Sequence, residues 1–459
     1  MDPIIKKILD SAKKIHFIGI GGVSISSLAL LAKEMGISVS GSDRTKNSLC
    51  EKAEKEGIKV IYAHLPENVE GCDAVVYTAA VNGENPELKR AAELSIPCIP
   101  RADFLGYVML GYKNRIGISG THGKTTTTSM ISHIFIEAEM NPTVANGAVT
   151  EELGGTLGIG GRDLFVYESC EYKDSFLSFF PTTAIITNIE LDHTDYYPSL
   201  EAIMRSFGRS VECADRVIVN MDDKNAMAAL GEYKKSIVTV SAENKEADFF
   251  ASELSFERGR GVYDLIYKGE KLCKIRLSVI GVFNVYNSLC AFAAAYLSGA
   301  SAEVCASALA SFKPAKRRFE IKFEKDGITV ADDYAHHPSE IAATLKGVKK
   351  IGEGRTVCIF QPHTYTRTHD LWSDFVDALS LADKVILADI YAARETDTLG
   401  VSSELMAKEI EGALYFDSFE AIANHVLCDI QRGDLILSMG AGDIFKVSDM
   451  IRDRLVDKT

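Results

Sequence analysis

The 459-residue sequence lacks several features that would remove it from the class of ordinary globular proteins. Its start, Met1-Asp2-Pro3-Ile4-Ile5-Lys6-Lys7, has no long apolar core, and no apolar run elsewhere is long enough to span a bilayer. The ten cysteines are scattered without a C-x-x-C pair, which argues against a disulfide framework or a zinc site. There is no low-complexity tract and no short-period repeat. We therefore expect a cytoplasmic protein with reduced thiols and no membrane insertion.

An excess of positive charge is also missing. Lys and Arg total 50 against 64 Asp and Glu, so the formal net charge is −14. This balance disfavours binding to nucleic acid or anionic membranes, because both require clustered cations. It leaves a phosphate ligand open, since phosphate sites use local backbone N–H groups and one or two cations.

What the sequence does contain is the composition of a globular protein with several cores. Hydrophobic residues make up 46% and charged residues 25%. At about 150 residues per domain, the length predicts about three domains. Alternating strand and helix patterns predict three consecutive α/β domains. Their predicted boundaries are 1–110, 111–312 and 313–459.

The first domain opens with a strand, Ile15 to Ile20, that runs into the turn Gly19-Ile20-Gly21-Gly22. A helix follows from Ser24 to about Met35, and a second strand leads to Asp43. Strand, glycine-rich turn, helix, strand and acid form the first half of a Rossmann-like nucleotide-binding unit. The strands predicted further along the chain are Asp73 to Tyr77, Arg115 to Ser119, Leu164 to Tyr167, Thr183 to Thr187, Arg216 to Asn220, Ile328 to Ala331, Thr356 to Phe360, Val385 to Ala388 and Leu435 to Ser438.

The hexapeptide Gly120-Thr121-His122-Gly123-Lys124-Thr125 predicts a phosphate-binding loop in the second domain. A glycine-rich turn between a strand and a helix directs backbone N–H groups and the helix dipole at one point. Lys124 supplies a cation for the outer phosphates, and the Thr125 hydroxyl is placed to bind Mg²⁺. The strict phosphate-loop pattern has Gly where this chain has Ile118, so the loop is a variant with a shorter glycine spacing.

Magnesium on a triphosphate needs further hard ligands. Glu168 follows the strand Leu164 to Tyr167, and Asn188-Ile189-Glu190-Leu191-Asp192-His193 follows the strand Thr183 to Thr187. The carboxyl ends of parallel strands collect ligand-binding residues. For Glu171, Glu190 or Asp192 alone, a solvated surface acid is an equal interpretation.

Several motifs in fixed order resemble the Mur ligase family along nearly the whole chain, from Gly19 to the turn at Gly440-Ala441-Gly442-Asp443. They are Gly-Thr-His-Gly-Lys-Thr at 120–125, Glu168-Ser169-Cys170-Glu171, Asn188-Ile189-Glu190-x-Asp192-His193, Gly281-x-x-Asn284-x-x-Asn287, Arg317-Arg318-Phe319-Glu320 and Asp332-Asp333-Tyr334-Ala335-His336-His337-Pro338.

Within the family, the details are similar to the branch that adds L-alanine. Its marks are Gly-Ile-Gly-Gly at 19–22, the Asp-Asp-Tyr-Ala-His-His-Pro run, and Gln361-Pro362-His363-Thr364-Tyr365-Thr366-Arg367-Thr368. The chain departs from the usual pattern at four positions: Ser24, Ile25, Phe283 and Thr364.

The resemblance implies a Rossmann-like UDP-sugar domain, a P-loop ATPase-like central domain and a Rossmann-like amino-acid domain. The UDP-substrate residues implied are Gly19, Gly21 and Gly22, with Asp43, His64 and Asn68 as candidates for which a plain surface role stays open. The ATP residues implied are Gly120, Thr121, His122, Gly123, Lys124, Thr125, Thr126, Asn284, Asn287, Arg318 and Asp333. The metal ligands implied are Thr125, Glu168 and His193, and the amino-acid residues are Tyr334, His336 and Arg367. The catalytic residues implied are Lys124, His193 and His336.

The implied activity is ATP- and Mg²⁺-dependent joining of L-alanine to the lactyl carboxylate of UDP-N-acetylmuramate through an acyl phosphate. It is a step in making the peptidoglycan precursor, and it would be carried out in the cytoplasm by a monomer or homodimer. No nucleic acid partner is expected.

Three other interpretations compete with this one. A murein-tripeptide ligase or another amino-acid adder of the same family shares most of the motifs. A nicotinamide-dependent dehydrogenase fits Gly19-x-Gly21-x-x-Ser24 with Asp43, but it leaves Gly-Lys-Thr in a second domain unexplained. A non-enzymatic module built on an inactive ligase conflicts with the presence of Lys124, Thr125, Glu168 and His193.

Overall fold

The computed structural model of the chain describes all residues except 79–80, 151, 154, 194–195, 232, 258, 315, 350–353, 394, 398 and 458–459, and only the backbone of residue 149. The described residues form three β-sheets, one in each predicted α/β segment, which confirms the predicted fold class. By its contacts the chain divides into two compact units. Unit 1 is Met1–Phe250, Ile266–Glu270 and Asn287–Ala308, and unit 2 is Ala251–Leu265, Lys271–Tyr286 and Leu309–Thr459.

The first sheet of unit 1 is fully parallel, with strand order β3-β2-β1-β4-β5. Its strands are β1 Lys14–Ile18, β2 Ser38–Ser42, β3 Lys59–Ile61, β4 Ala74–Tyr77 and β5 Cys98–Pro100. The helices are α1 Pro3–Ser11, α2 Val23–Glu34, α3 Ser48–Lys55, α4 Pro86–Glu93 and α5 Arg101–Met109, with a 3-10 turn at Pro66–Val69. Local sequence sets the helix starts: the side chains of Asn47 and Asn85 accept the first free N–H groups of α3 and α4. All five strands therefore end at one edge, where the glycine turn and the start of α5 lie.

The second sheet has strand order β8-β7-β9-β6-β10-β11-β12-β13 in unit 1, parallel except for the β7–β8 pair. Its strands are β6 Asn114–Ser119, β7 Thr143–Thr150, β8 Gly155–Gly158, β9 Leu164–Glu168, β10 Thr183–Ile186, β11 Arg216–Asn220, β12 Ser236–Ser241 and β13 Phe249–Glu257. The helices are α6 Lys124–Glu137, α7 Leu200–Val211 and α8 Lys224–Ala229, with a 3-10 segment at Tyr172–Ser178. The division between the units passes through β13, β14 Arg260–Tyr267, β15 Glu270–Ile280, α9 Val282–Leu297 and α10 Ala302–Ser311.

Unit 1 is held together by one continuous apolar core to which both of its sheets contribute. The rings of Phe17 and Phe104 meet edge to face at 5.4 Å in the first sheet region. Phe165 and Tyr167 stack at 5.4 Å on β9 of the second. All four side chains are fully buried, and burial of each stabilises the fold by about 1.5–3 kcal/mol.

The third sheet lies in unit 2, with order β16-β17-β21-β18-β19-β20 and only β16 antiparallel. Alternate residues of its central strand β18 enter apolar clusters on opposite faces: Cys358 and Phe360 on one, Val357 and Ile359 on the other. The strands are β16 Glu320–Lys325, β17 Ile328–Asp333, β18 Thr356–Phe360, β19 Lys384–Leu387, β20 Leu414–Tyr415 and β21 Leu435–Met439. The helices are α11 Pro338–Val348, α12 Tyr365–Asp370, α13 Trp372–Leu379, α14 Ser403–Glu409, α15 Phe419–Asp429 and α16 Phe445–Val456.

The predicted strands are present with ends shifted by a residue or two. The exact domain boundaries remain a prediction. Within the described ranges, every helix is too short or too polar to cross a lipid bilayer.

Candidate active site

The phosphate-binding loop connects β6 to α6 as the sequence predicts. Gly120 has φ +142° and Gly123 has φ +84°, a region that L side chains rarely adopt. A Cβ at Gly120 would also meet the hydroxyl of Thr187, and one at Gly123 would meet the amide of Asn287. Both glycines are therefore required by backbone conformation and by close packing.

Several hydrogen bonds join the segment after β10 to the phosphate-binding loop. Thr121 N donates to Asn188 O at 3.0 Å, and Glu190 N donates to Thr121 Oγ1 at 2.8 Å. His122 N donates to Asn188 Oδ1 at 2.9 Å, while Thr187 Oγ1 and Asn188 Nδ2 both donate to His122 O. The segment after β10 therefore lies beside the loop, as the sequence predicts. Its hydrogen bonds hold the loop backbone in one conformation.

The side chain of Lys124, the first residue of α6, donates hydrogen bonds to three oxygens around the loop. Its ammonium donates to the carbonyls of Gly120 at 2.5 Å and Thr121 at 3.0 Å, and to Glu171 Oε1 at 3.0 Å. Burial alone would lower the pKa of Lys124, but the charge and hydrogen bond of Glu171, together with other nearby negative charges, outweigh burial and the pKa is raised. Lys124 therefore stays cationic, as a phosphate ligand requires.

Glu171 is the carboxylate that meets the loop. Its side chain is 1% exposed, and its Oε2 has no hydrogen-bond partner within the described part of the chain. His193 Nε2 lies 3.6 Å from Glu171 Oε1. Burial favours the neutral acid, yet Lys124 and His193 together lower the pKa of Glu171. In turn, burial lowers the pKa of His193, but Glu171 and Asp192 raise it overall.

Glu168, the residue expected from the sequence to bind the metal, contacts β7 in the structure. Glu168 Oε1 accepts from Gly147 N at 2.7 Å, so it is tied to β7, while Glu171 occupies the position beside Lys124 and His193. The sequence favoured Glu168 because it directly follows the predicted strand Leu164 to Tyr167. Glu171, which pairs with Lys124, lies three residues beyond the end of β9. Thr125 is buried in the first turn of α6 and Thr126 is partly buried beside it, as expected for loop residues.

The turn after β1 consists mainly of glycines, whose lack of side chains lets another group come close to the backbone. Gly19 has φ +82° and its N–H donates to Ser42 O at 2.8 Å, while Gly22 N–H donates back to Gly19 O. Gly21 N donates to Asp43 Oδ2 at 2.9 Å. Asp43 therefore stabilises the glycine turn in this structure.

His64 and Asn68, both candidates for the UDP-substrate, converge on a residue that the sequence did not single out. Glu87 is completely buried at the start of α4. Its Oε2 lies 2.7 Å from His64 Nδ1 and accepts from Ser42 Oγ at 2.8 Å. Its Oε1 accepts from Asn68 Nδ2 at 2.7 Å and lies 3.2 Å from His16 Nε2. Asn85-Pro86-Glu87 reads as an ordinary helix start, so only the folded chain reveals this cluster.

The two asparagines expected to meet the nucleotide fall in different units. In unit 1, Asn287 is 3% exposed and accepts from Thr127 Oγ1 at 3.3 Å, directly behind the phosphate loop. In unit 2, Asn284 donates to Ile280 O at 2.7 Å at the start of α9.

Unit 2 brings together Arg318, Asp333 and Tyr334 at the carboxyl end of β17. Asp333 accepts from Phe319 N at 2.8 Å and Ala335 N at 2.7 Å. Burial raises the pKa of Asp333 to about 6, against the opposing charge of Arg318. The guanidinium of Arg318 lies over the Tyr334 ring, 5.3 Å from its centre.

Arg317 anchors the neighbouring turn, a role that the sequence did not predict. Its guanidinium pairs with the buried Asp332 at 2.9 Å and donates to the carbonyls of Gly440 and Gly442. The adjacent arginines therefore differ: Arg317 is used inside the fold, while Arg318 faces Asp333 and Tyr334.

His336 and Arg367 belong to the same group of residues in unit 2. His336 Nδ1 lies 3.0 Å from Tyr334 O, and the ring lies edge-on to Tyr334 at 5.4 Å. Burial lowers the pKa of His336, assisted by the charge of Arg367 and opposed by Glu340. Among the described residues, the guanidinium of Arg367 has no hydrogen-bonded or ion-paired partner, as suits a residue expected to bind a carboxylate.

His363 is a further residue of this group that the sequence left unassigned. Its ring stacks on Tyr391 at 5.6 Å and lies 6.2 Å from His336. Burial lowers the pKa of His363 to about 4, with His336 and Arg367 adding to the effect. His363 is therefore neutral at physiological pH.

Comparison with known protein families matches the chain in three consecutive stretches. Residues 14–113 match the description "Mur ligase family, catalytic domain". Residues 118–295 match "Mur ligase middle domain", and residues 317–442 match "Mur ligase, glutamate ligase domain".

Full-length relatives agree with these matches. The UDP-N-acetylmuramate–L-alanine ligase of Lachnospira eligens is 44% identical over 95% of this chain and 97% of its own length. The crystal structure of the UDP-N-acetylmuramate–alanine ligase of Thermotoga maritima is 28% identical, with TM-score 0.79 over 97% of this chain and 100% of that one. A murein peptide ligase from Psychrobacter arcticus is 25% identical, with TM-score 0.66 over 96% and 98%.

Proposed function

The chain belongs to the Mur ligase family, and we propose that it joins L-alanine to the lactyl carboxylate of UDP-N-acetylmuramate at the expense of ATP. The full-length identity to alanine ligases carries the substrate assignment. The charge-paired loop around Lys124 supports the use of ATP. The reaction is a step of peptidoglycan precursor synthesis.

The first step activates the carboxylate. One lactyl oxygen attacks the γ-phosphorus of ATP, the bond from γ-phosphorus to the bridging oxygen breaks, and ADP leaves with formation of an acyl phosphate. Lys124 and the loop N–H groups at the start of α6 hold the phosphates, because their positive charge lies where negative charge gathers in the transition state. Asn284, Asn287, Arg318 and Asp333 are the further residues proposed to contact the nucleotide.

The residues around the loop fit a magnesium ion. Glu171 offers a buried oxygen without a partner in the described chain, the Thr125 hydroxyl is a second hard oxygen donor, and the His193 ring nitrogen lies beside Glu171. We assign Glu171 rather than Glu168 to this role. When bound, Mg²⁺ would neutralise charge on the outer phosphates.

The second step forms the amide. The amine of L-alanine attacks the acyl carbon, and inorganic phosphate leaves from the tetrahedral intermediate. The incoming ammonium must first lose a proton, and the pKa directions favour His336 over His193 as the acceptor, since only His336 is shifted toward the neutral form. Tyr334 and Arg367 are proposed to hold the amino acid, with Arg367 on its carboxylate.

The UDP moiety is proposed to bind at the first sheet. Gly19, Gly21 and Gly22 let the diphosphate approach the backbone, and the cluster of Ser42, His64, Asn68 and Glu87 lies at the same carboxyl edge. Asp43 supports the glycine turn from the side.

We further propose that the protein works in the cytoplasm as a monomer or homodimer. The ten cysteines all lie in the described part of the chain and are all free thiols, as expected in a reducing compartment.

An amino-acid panel tests the substrate assignment. The purified chain, ATP, Mg²⁺ and UDP-N-acetylmuramate are incubated with L-alanine, glycine, L-glutamate or murein tripeptide, and products are identified by mass. We expect the alanyl product to form fastest. Formation of the tripeptide product alone would assign the chain to the murein-peptide branch instead.

A further inference from the structure

Arg101 opens helix α5 at the carboxyl end of β5, and its charge is not used inside the fold. Among the described residues, its guanidinium has neither a hydrogen-bond acceptor nor a carboxylate partner, although the side chain is partly buried. Arg115, an arginine of the same unit, shows the usual alternative: it donates to the carbonyls of Phe180 and Tyr112 at 2.6 and 2.7 Å. Arg101 is therefore a partly buried cation without internal compensation.

The surroundings of Arg101 connect it to the phosphate loop. Cys170 lies in the short stretch between β9 and the 3-10 segment Tyr172–Ser178. The residue after Cys170 is Glu171, which pairs with Lys124 at 3.0 Å. Helix α5 is also tied to the segment that follows, because Ser178 Oγ donates to Asp103 Oδ1 at 2.6 Å.

An unpaired guanidinium in this setting favours an anionic ligand. Partial burial of a cation costs free energy unless a partner is present, and burial lowers the pKa of Arg101 for that reason. The start of α5 adds the positive end of a helix dipole to the same place. Lys124 differs, since Glu171 already neutralises it.

Position separates Arg101 from the diphosphate site. In the strand order β3-β2-β1-β4-β5, the glycine turn follows β1, whereas Arg101 follows β5. Two strand spacings correspond to about 10 Å. Arg101 therefore lies two strands away from the glycine turn that is proposed to bind the diphosphate.

We propose that Arg101 binds the lactyl carboxylate of UDP-N-acetylmuramate and aims one of its oxygens at the γ-phosphate. The proposal deepens the proposed function and rests on it. Arg101 holds one carboxylate oxygen by a charge-assisted hydrogen bond and leaves the second free to attack. Arg101 is thereby the residue that distinguishes the muramate substrate from sugar nucleotides without a lactyl group.

The test compares two ligands that differ only in that group. Dissociation constants for UDP-N-acetylmuramate and UDP-N-acetylglucosamine are measured by calorimetry for the wild type, Arg101→Gln, Arg101→Lys and the control Arg90→Gln. Arg90 is an arginine of the same sheet region whose partners, Glu70 and Glu93, are exposed.

We expect Arg101→Gln to raise the dissociation constant of UDP-N-acetylmuramate by about 10- to 100-fold, the range for loss of a hydrogen bond to a charged group. UDP-N-acetylglucosamine should be unaffected, and the KM for ATP and for L-alanine should not move. Arg101→Lys keeps the positive charge and should lose less affinity for UDP-N-acetylmuramate. Arg90→Gln should bind both sugar nucleotides as tightly as the wild type does.

Equal weakening of both sugar nucleotides would place Arg101 on the diphosphate and overturn the proposal. A rise in the KM for ATP alone would place Arg101 on the γ-phosphate, and this result would also overturn the proposal. Should Arg101→Gln fail to fold, a selective loss in Arg101→Lys still supports the proposal and an unselective one overturns it. A wild type that binds neither ligand refutes the proposed function itself, whereas a wild-type preference that survives in both variants refutes only the role of Arg101.

Discussion

At the residue scale, Lys124 is the side chain whose replacement tests phosphate handling most directly, because it contacts Gly120, Thr121 and Glu171 at once. We expect Lys124→Met to lower kcat by about 10³-fold, the upper range for loss of one electrostatic contact to a transition state. Lys113→Met, at an exposed lysine just before β6, is the matched control and should keep wild-type activity. Steady-state phosphate release measures both, and a loss below about tenfold in Lys124→Met would contradict the assignment.

Two carboxylates three residues apart give a second residue-scale prediction. Glu171 faces Lys124 and His193, while Glu168 bonds Gly147 N. We expect Glu171→Gln to raise the Mg²⁺ concentration needed for half-maximal activity by at least about tenfold, because it removes a charged ligand. Glu168→Gln should leave that concentration nearly unchanged. A magnesium titration in which Glu168→Gln shows the larger shift would restore the assignment made from the sequence.

The proton acceptor makes a prediction about pH. A base works when deprotonated, so the rate of amide formation falls as pH drops through its pKa. Burial lowers the pKa of His336 below its ordinary 6.5, whereas at His193 the effect of burial is outweighed by Glu171 and the pKa is raised. With His336 as acceptor, kcat/KM for L-alanine should hold down to below pH 6.5 and then fall, and His336→Asn should lose most of the rate. An acid limb above pH 6.5 that disappears in a His193 variant would assign the role to His193.

At the scale of secondary structure elements, the junction of β6 and α6 depends on Gly123. The protein offers an internal control, because Gly36 after α2 has the same φ of +84° and no atom lies within 4 Å of the position that a Cβ would take there. Alanine at either position costs about 1–2 kcal/mol from the left-handed backbone. Only Gly123→Ala also collides with Asn287 behind the loop.

We therefore expect Gly123→Ala to lose more melting temperature than Gly36→Ala, and we expect a marked rise in the KM for ATP only in Gly123→Ala. Differential scanning calorimetry and ATP kinetics provide the two readouts. An unchanged KM for ATP in Gly123→Ala would show that the loop tolerates displacement of its last glycine.

The start of α4 supplies a prediction about stability. Burial raises the pKa of Glu87, but hydrogen bonds from His16, Asn68 and Ser42 outweigh it and the folded pKa is lowered from 4.5. A depressed carboxyl pKa contributes stability above pH 4.5 that is lost as pH falls through the folded pKa. Glu87→Gln should therefore melt below the wild type at neutral pH, and the gap should narrow as pH falls below 4.5. A gap that does not depend on pH would mean that charge at Glu87 is not the cause.

Sequence patterns predicted the buried strands and helices that alternate along the chain, and they missed the antiparallel and partly exposed strands. β1, α2 and β6 were predictable because a buried strand, a glycine turn and an amphipathic helix each leave a local signal. The antiparallel β7–β8 pair and the strands β13 to β15 were not predicted, since partly exposed strands lack a continuous apolar run.

The same limit applies within the site. The loop residues at 120–125 could be predicted because their spacing is local. The contact of Glu171 with Lys124 and the contacts of Glu87 with His64 and Asn68 depend on which way a turn directs each side chain. Contacts between residues far apart in the chain leave no such mark in one sequence.

At the scale of the whole molecule, we propose that the chain joins two substrates at the expense of ATP. The most direct measurement is phosphate release from ATP and Mg²⁺ with UDP-N-acetylmuramate, with and without L-alanine. We predict sustained release only when both substrates are present, with one alanyl product for each phosphate. Phosphate release that does not depend on UDP-N-acetylmuramate would contradict this activity. The absence of phosphate release with the complete mixture would also contradict it.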